Sequence, residues 1–542
     1  MNRNFILLAL IALFFSCNSQ KEVDLIVHNA MVYTVDDNFS VVEAFAVKDG
    51  KILETGSSKD ILKKYKGKIL DVEGKAVYPG FIDGHSHFYG YGEGLQQADL
   101  VGTKSWVEIL EKLQQFGREN PEGWIVGRGW DQNDWSIKEF PDNTKLNELF
   151  PNRPVVLTRI DGHAAIANKA ALDLAGFKPG HKIIGGEVET ISGKLSGILI
   201  DNAQNAVYTK IPEPTLAQIR ESFLDAQKNC FTVGLTSVTD CGINHGLVPV
   251  ITELQKNGQL KMRIYAMLSD SKENYDFLFK NGALKTDRLN VRSFKVYMDG
   301  ALGSRGARLL EPYSDKPGYS GFLLSDKKHF SEVAQKIADA GFQMNTHAIG
   351  DSANREILNV YAKVLKGKND FRWRIEHAQV VNQADFKMFA ENNIIPSVQS
   401  THATSDMYWA ADRLGSERLK GAYAFKQLLD QNGWIVLGTD FPVENINPMY
   451  TFYAAVVRKD MKGYPESGYQ MENAISREQA LRGMTIWAAK GQFEEKEKGS
   501  IEVGKFADFL ILDQDIMKAD DGQLFKTQVL KTYLNGENVY SK

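Results

Sequence analysis

The sequence is poor in cysteine: there are three in 542 residues, Cys17, Cys230 and Cys241. Proteins whose fold depends on a disulfide framework contain many more, so a disulfide-based fold is excluded. Cys230 ends a helical pattern, Cys241 ends a strand-like run, and no histidine stands directly beside either. We therefore expect both to be small buried residues rather than catalytic nucleophiles.

The sequence also lacks an excess of positive charge and an extended run of Lys and Arg. Lys plus Arg number 64 and Asp plus Glu number 68, which gives a formal net charge of -4. Nucleic-acid binding usually needs a basic surface, so no nucleic-acid partner is expected. Hydrophobic residues at 43% and charged residues at 24% exclude a disordered or fibrous chain. The length predicts several domains or one large barrel with additions.

The one long apolar run is too short to span a bilayer, which takes about 20 residues. It covers eleven residues, Phe5–Phe15, between Arg3 and the pair Ser16-Cys17, and polar residues follow. This order is typical of a bacterial lipoprotein signal peptide. We predict that residues 1–16 are removed and that a lipid on Cys17 anchors an exported protein facing the periplasm or the cell exterior. Because the residues before Ser16 are bulkier than usual, cleavage without lipid attachment stays an alternative.

Strand-like segments occur at both ends of the chain, in residues 22–78 and 491–542, between turn signals such as Asp49-Gly50 and Asn535-Gly536. Residues 79–490 alternate strands with helices instead, which favours a parallel sheet with crossover helices. The sequence therefore predicts an α/β fold, with one small β-sandwich domain built from both termini around a central barrel.

The central region contains eight strand-like segments, the number in a TIM (β/α)8 barrel. The first two are about 150 residues apart, so we predict a large insertion at about 105–229. It has strand-like runs of its own at Trp124–Gly129 and Val155–Ile160 and a Gly-rich hairpin at Ile183–Ile200. The eight barrel segments are Phe81–His85, Thr236–Thr239, Arg263–Leu268, Ser293–Met298, Gln343–His347, Trp373–His377, Ile394–Val398 and Ile435–Thr439.

Residues that bind metal ions stand at the ends of several of these strands. His85 and His87 are spaced i, i+2, so in an extended segment both imidazoles point the same way. His347, His377 and Asp440 end the fifth, sixth and eighth strands. Lys295 lies within the apolar fourth strand, where a free ammonium group is costly to bury. Because the carboxyl ends of barrel strands open onto one mouth, we predict a metal site there. The alternative, that each is an ordinary core histidine, is a poor explanation for four histidines at one barrel mouth.

Six segments carry a family resemblance: PGFIDGHSHF (79–88), FKVYMDGALGSRGA (294–307), NTHAIGD (345–351), RIEHAQ (374–379), GTDFPVE (438–444) and GSIEVGKFADFLILD (499–513). They resemble the amidohydrolase superfamily, specifically its amidohydrolase-3 branch of YtcJ-like enzymes and N-substituted formamide deformylases. The resemblance covers nearly the whole chain after the signal peptide. It implies a (β/α)8 barrel with a β-sandwich formed by both termini.

The resemblance also implies a ligand set for one or two divalent metal ions, with zinc best suited to so many imidazoles. It implies that CO2 carboxylates Lys295 to an anionic carbamate that bridges two ions. Asp440 is the carboxylate placed to move a proton from the attacking water to the leaving nitrogen. The implied metal ligands are His85, His87, Lys295, His347, His377 and Asp440.

Further residues are candidates for substrate contact. The resemblance suggests that His163 faces the substrate, with a locally bonded loop histidine as the alternative. Trp130 and Asp131, with the nearby Trp135, either wall an apolar pocket or form the core of the insertion. Asp299 and Arg305 either orient a polar substrate group or pair with each other.

The remaining histidines have no assigned role at the metal site. His402 follows the seventh strand but matches no ligand position. The others, expected to be surface or structural residues, are His28, His181, His245 and His329.

The predicted function is metal-dependent hydrolysis of a non-peptide C–N bond in a small amide, formamide or N-acyl compound by an activated water. No Gly-x-Ser-x-Gly motif supports a serine hydrolase. Two alternatives stay open: hydrolysis of an ester, lactone or cyclic substrate at the same site, and a surface binding lipoprotein without catalysis. Membrane contact is expected only through the lipid, and a homodimer is left open.

Overall fold

The computed structural model describes residues 20–542, so the predicted signal peptide and Cys17 lie outside the described residues. Within this range no helix combines the length and the apolar character needed to cross a bilayer. The described chain forms a barrel, a unit of two sheets that uses both ends of the range, and an inserted sheet. Each is described in turn below because each contributes to positioning the site.

Two sheets pack against each other through one buried core that includes Val27, Phe45, Val77 and Phe509. The first sheet has the order Lys51–Gly56, Ala44–Lys48, Lys21–His28, Tyr65–Asp71, and the helix Ser58–Lys64 precedes its last strand. The second sheet has the order Glu537–Ser541, Val529–Leu534, Phe509–Leu512, Ala76–Pro79, Met31–Tyr33, Val41–Val42. Its centre therefore pairs strands from opposite ends of the chain.

Eight parallel strands form the barrel, and all eight predicted segments are confirmed. The strands follow one another in chain order around the barrel, as in a TIM fold. They are β1 (Phe81–Ser86), β2 (Leu235–Ile243), β3 (Arg263–Ser269), β4 (Leu289–Tyr297), β5 (Gln343–Ala348), β6 (Arg374–His377), β7 (Ile395–Val398) and β8 (Val436–Leu437).

The barrel closes where β1 meets the residues that follow β8. The Asp440 N–H donates to the His85 carbonyl at 2.8 Å, and the His87 N–H donates to the Phe441 carbonyl at 2.9 Å. A Cβ atom at Gly84 would overlap Val436 and Leu437, so only glycine permits this approach. The two ends of the barrel are thus joined beside the predicted metal ligands.

Helices pack outside the barrel with one apolar stripe facing the strands. The helix Lys327–Asp339 shows why: Asp326 caps its first turn by accepting from the His329 N–H, and Phe330, Val333 and Ile337 recur at helical spacing and are buried. The other helices outside the insertion and the two-sheet unit are Phe88–Gly94, Leu216–Thr232, Leu247–Lys256, Lys272–Asn281, Asp351–Leu365, Lys387–Glu391, Ser400–Asp406, Ala410–Leu419, Phe425–Asn432, Pro448–Val457, Arg477–Gly483 and Ile486–Gly491.

The insertion between β1 and β2 forms a sheet of six strands with its own apolar core. Its strands run in the order Gly186–Ile191, Lys194–Asp201, Ala164–Ala167, Val155–Arg159, Ile125–Trp130, Ala98–Asp99. Its helices are Trp106–Glu119, Thr144–Leu149, Lys169–Ala175 and Asn205–Tyr208. The sheet begins at Ala98, earlier than residue 105. At the other end, Cys230 on the helix Leu216–Thr232 belongs to the core of the barrel, so this helix is part of the barrel layer.

Candidate metal centre

The ends of the barrel strands bring the six predicted metal-site residues together around a cavity of about 560 Å³. Its wall contains His87, Lys295, His347, His377 and Asp440. His85 lies directly behind this wall and is fully buried. The mouth of the barrel, where such enzymes keep their sites, therefore holds the whole set.

The side chains of this set approach each other closely. The Asp440 Oδ1 atom lies 3.4 Å from His85 Nε2 and 3.2 Å from His87 Nε2. The Lys295 Nζ atom is 3.4 Å from His85 Nε2, and the rings of His347 and His377 are 4.5 Å apart between centroids. Imidazole nitrogens and a carboxylate oxygen thus point into one small volume.

Several of these atoms have no hydrogen-bond partner among residues 20–542. His347 Nε2 and Asp440 Oδ1 are buried and make no hydrogen bond to any described residue. Ligand atoms of His85, His377 and Asp440 all lie within 4.8 Å of one another. Buried polar atoms without partners are rare, and nitrogen and oxygen donors at this spacing fit a divalent metal ion.

Burial favours the neutral, metal-binding form of His347 and His377. Burial lowers the pKa of His377 well below its usual range, and the neighbouring His347 and His85 lower it further. Burial, with His163 and Lys295, lowers the pKa of His347 in the same way. A neutral imidazole keeps the lone pair that coordination needs.

Two hydrogen bonds set the orientation of the histidine rings. His377 Nδ1 lies 2.7 Å from the Oε1 atom of Gln399, and His85 Nδ1 is hydrogen-bonded to Glu376 Oε2. With Nδ1 as the donor in each pair, Nε2 is the free nitrogen on both rings. Such carboxylate and amide partners fix the tautomer of metal-binding histidines.

Glu376 is itself held by a buried arginine. The Arg374 Nε atom lies 2.6 Å from Glu376 Oε1, and both side chains are fully buried. Burial opposes ionisation of Glu376, but Arg374 and His85 outweigh it and lower its pKa to about 2. This pair was not predicted from the sequence. The signal that could have indicated it is the i, i+2 spacing of the two charged residues, which places both side chains on the same face of a barrel strand.

Cys241, predicted to be a small buried residue, is buried and also belongs to this region. Its sulfur, with ligand atoms of His85 and Glu376, forms a second group in which all atoms lie within 4.8 Å of one another. Cys241 and Cys230 are both buried free thiols. This proximity could not be predicted from the sequence because Cys241 is remote from both partners along the chain.

Asp440 is at the centre of the cluster, in a left-handed backbone conformation with φ of 63°. Its second oxygen, Oδ2, lies 3.6 Å from His402 Nε2, a buried atom that makes no hydrogen bond within the described part of the chain. His402 is on the helix Ser400–Asp406 directly after β7 and lines the cavity. Burial opposes ionisation of Asp440, but His85, His87 and His377 lower its pKa well below the usual range. Asp440 is therefore an ionised carboxylate.

His163 and Asp131 place the insertion at the same cavity. The His163 ring lies 4.9 Å from the His347 ring, and its Nδ1 atom is 2.6 Å from Asp201 Oδ1. Asp131 also lines the cavity, where it is ion-paired to Arg159. Both residues therefore lie on the part of the cavity wall that the insertion forms.

Trp130 and Trp135 lie in the core of the insertion rather than at the cavity. Trp130 is fully buried, and its indole N–H donates to the Leu157 carbonyl at 2.8 Å. The Trp135 indole donates to the Thr103 carbonyl at 3.2 Å. Both indole N–H groups therefore have hydrogen-bond acceptors within the insertion. Trp130 is a core residue of the insertion, and its candidate role in the pocket wall is corrected.

Asp299 and Arg305 neither pair with each other nor line the cavity. The Asp299 carboxylate accepts the N–H groups of Ile349 at 3.0 Å, Gly350 at 2.9 Å and Arg308 at 2.7 Å. Burial raises the pKa of Asp299 to about 7, and these N–H groups oppose the rise. Arg305 binds Asp315 instead, at 2.9 Å. Asp299 thus ties together the loops that follow β4 and β5.

The histidines expected to have structural or surface roles lie away from the cavity wall. His245 is hydrogen-bonded through Nδ1 to Asn274 at 2.9 Å, and His329 contacts Asp270 through Nε2 at 2.6 Å. The other two are His28 and His181.

Comparison with known proteins points to one family. The model of the "Amidohydrolase family" matches residues 68–540. The chain is 31% identical over 530 residues to the Bacillus subtilis (strain 168) protein YtcJ, covering 95% of this chain and 99% of that protein. It is 26% identical over 552 residues to an N-substituted formamide deformylase of Arthrobacter pascens, covering 96% and 98%. A metal-dependent hydrolase from Pyrococcus horikoshii OT3 superposes with a TM-score of 0.75 at 28% identity, covering 92% and 99%.

Proposed function

This chain belongs to the amidohydrolase family of metal-dependent hydrolases, and we propose that it cleaves a non-peptide C–N bond in a small amide, formamide or N-acyl compound. The convergence of His85, His377 and Asp440 at the barrel mouth carries this proposal. The similarity to an N-substituted formamide deformylase supports the choice of bond. Activated-water hydrolysis needs such a donor set.

The residues that would hold the metal are the six at the mouth. When bound there, one or two divalent ions, zinc by preference, supply Lewis acidity that polarises the substrate carbonyl and lowers the pKa of water. Gln399 and Glu376 keep the His377 and His85 rings turned for this task. The assigned ligands are His85, His87, Lys295, His347, His377 and Asp440.

Lys295 takes part as a carbamate in this proposal. Its side chain is fully buried, and its Nζ atom lies 3.4 Å from His85 Nε2. Reaction of the Lys295 ammonium group with CO2 forms an N–C bond and releases two protons, one to give the neutral amine and one as the carbamate forms, so a buried cation is replaced with an anion. That change removes the cost of a cation placed among metal ligands.

Asp440 moves the proton in the proposed reaction. Its pKa, held low by the surrounding histidines, keeps it ionised and ready to accept a proton from the attacking water. The same carboxyl group then delivers that proton to the leaving nitrogen. His163, fixed by Asp201, orients the substrate from the insertion side.

A screen of purified protein tests the proposal. Metal content is measured, and hydrolysis is followed for N-formyl and N-acetyl amines beside matched esters and lactones. We expect hydrolysis of the N-formyl and N-acetyl amines and loss of this activity when a chelator is added. The activity should also be lost in His347→Ala but not in His329→Ala, because His329 is remote from the cavity. Faster ester or lactone turnover would assign the site to that chemistry, and full metal content without any turnover would favour the binding-protein alternative.

The proposal also places the protein outside the cytoplasm. The apolar run Phe5–Phe15 followed by Ser16-Cys17 supports export, signal cleavage and attachment through a lipid on Cys17. Such an anchor would hold the barrel at the membrane surface without any spanning helix.

A further inference from the structure

The cavity wall formed by the insertion contains an arginine without an acidic partner. Arg128 lies on the strand Ile125–Trp130 and lines the cavity. Its Nη2 atom donates to the Ile160 carbonyl at 2.8 Å, while its Nε atom is buried and has no hydrogen-bond partner. Across the described residues 20–542, no carboxylate oxygen comes within 4.0 Å of this guanidinium.

The charge of the second arginine in the same wall, Arg159, is balanced by acidic partners. Arg159 forms ion pairs with Asp131 and, at 2.5 Å, with Asp161, and its Nε atom donates to Gln132 at 2.8 Å. Its donors are therefore committed to the protein. Arg128 differs because its guanidinium is charged at any working pH and still has unused N–H groups.

The position of Arg128 is close to the reaction centre. The backbone of Gly162 lies against the guanidinium, since a Cβ atom there would be 3.5 Å from Nη1. The next residue is His163, whose ring is 4.9 Å from that of His347. The absence of a side chain at Gly162 leaves the guanidinium open beside the metal cluster.

Resting on the proposed hydrolase function, we infer that Arg128 binds a carboxylate group of the substrate. This carboxylate lies on the side of the amide that faces the insertion. A planar guanidinium offers paired N–H groups that match a carboxylate, and a charged donor left without an acceptor in a partly buried wall is costly. The bound carboxylate would supply the missing acceptor and set the orientation of the amide at the mouth.

Acidic side chains also line the cavity, which makes the prediction discriminating. Asp406, the last residue of the helix Ser400–Asp406, and Glu444, in the loop after β8, line the cavity, and no Lys or Arg nitrogen among residues 20–542 lies within 4.0 Å of either carboxyl group. If these acids governed recognition, a cationic substrate would be preferred. The two outcomes therefore separate cleanly.

Three N-formyl compounds of matched length test the inference with the metal-loaded enzyme: those of 4-aminobutanoate, n-butylamine and 1,4-diaminobutane. We expect the anionic compound to have a kcat/KM at least about 10-fold above the neutral one. In Arg128→Gln that advantage should fall by about 10- to 100-fold, the scale of one charge-assisted contact, mostly through KM, while the neutral compound changes little. Arg128→Lys should retain part of the advantage.

Arg118→Gln, the same change at an exposed site of the insertion, is the matched control. If no compound is hydrolysed, the hydrolase proposal fails, and calorimetric binding of the same three compounds then decides the role of Arg128. An anionic preference that survives in Arg128→Gln, or a wild-type preference for the neutral or cationic compound, would overturn the inference. The wild-type comparison remains decisive even if Arg128→Gln does not fold.

Discussion

The Nδ1 atom of His85 is hydrogen-bonded to the Oε2 atom of Glu376 within the barrel, which turns the other ring nitrogen towards Lys295 and Asp440. Glu376→Gln keeps the shape of this partner but removes its charge. We expect metal affinity to fall by about 10- to 100-fold, the usual effect of losing a carboxylate behind a histidine ligand. Metal content after dialysis against graded chelator measures it, with the exposed Glu391→Gln as control. Unchanged retention in Glu376→Gln would contradict the orienting role.

Lys295→Ala tests the carbamate. The variant should lose metal and activity together, because a neutral methyl group cannot supply the bridging oxygens. Formate or acetate added at millimolar levels should restore part of both, since a small carboxylate can occupy the vacated space. Metal analysis and rates with and without the acid are compared. Full metal content and full activity without rescue would remove Lys295 from the ligand set.

Asp440 and His163 should fail in different ways. Asp440→Asn preserves size but cannot accept the proton, so kcat should fall by about 100-fold or more even where some metal remains. His163→Ala should retain its metal and lose activity to an extent that varies with the substrate. Rates for several amides and metal stoichiometry distinguish them. Equal losses on every amide, with metal released in both variants, would place His163 among the ligands.

Asp406 should make stability depend on pH. Burial raises its pKa from 3.8 to about 7 in the folded protein, although the Tyr423 hydroxyl, at 2.8 Å, opposes the rise. Between these values the unfolded chain has lost this proton and the folded protein has kept it. Rising pH therefore destabilises the folded state up to about pH 7, and the cost then stays constant.

Asp406→Asn should remove that loss, because the amide has no proton to release. From pH 5 to pH 8, the free energy of unfolding should fall by about 1 to 3 kcal/mol more in the wild type than in the variant. Urea unfolding at both pH values measures this difference, with the exposed Asp142→Asn as control. Parallel pH profiles for the wild type and Asp406→Asn would show that Asp406 does not carry the effect.

Cys17→Ser tests the lipid anchor in a bacterial host that processes lipoproteins. The wild type should label with a fatty-acid probe and fractionate with membranes, and the variant should lose the label because serine cannot form the thioether. If the variant is found in the soluble exported fraction, the signal peptide is still cleaved but the protein carries no lipid anchor. A variant with unchanged label and fractionation would show that Cys17 is not the attachment site.

The sequence was most informative where a strand ends in a ligand. His347, His377 and Asp440 each follow an apolar run, so counting strands was enough to place them at one mouth. The segment Ile435–Thr439 illustrates the remaining error: only Val436–Leu437 pair in the sheet, because the chain leaves the ladder to bring Asp440 against β1.

Residues that act through others were harder to find. Strict alternation along β6 puts Glu376 and His377 on opposite faces, so the sequence pattern does not predict that they share one site. The left-handed conformation of His377, with φ of 74°, breaks that alternation and lets both residues serve the cluster. The role of Trp130 could not be predicted for a different reason: an aromatic residue beside a loop fits a core position and a pocket wall equally well.

The pairing of Ala76–Pro79 with Phe509–Leu512 has a consequence for biosynthesis. A ribosome that has made the first 500 residues has not yet produced the strand that completes this sheet, so the edge of Ala76–Pro79 stays open throughout elongation. Closing a loop of more than 400 residues is also slow compared with local contacts. The nascent chain therefore cannot pair these two strands until synthesis is nearly complete, so this sheet is among the last parts of the fold to form.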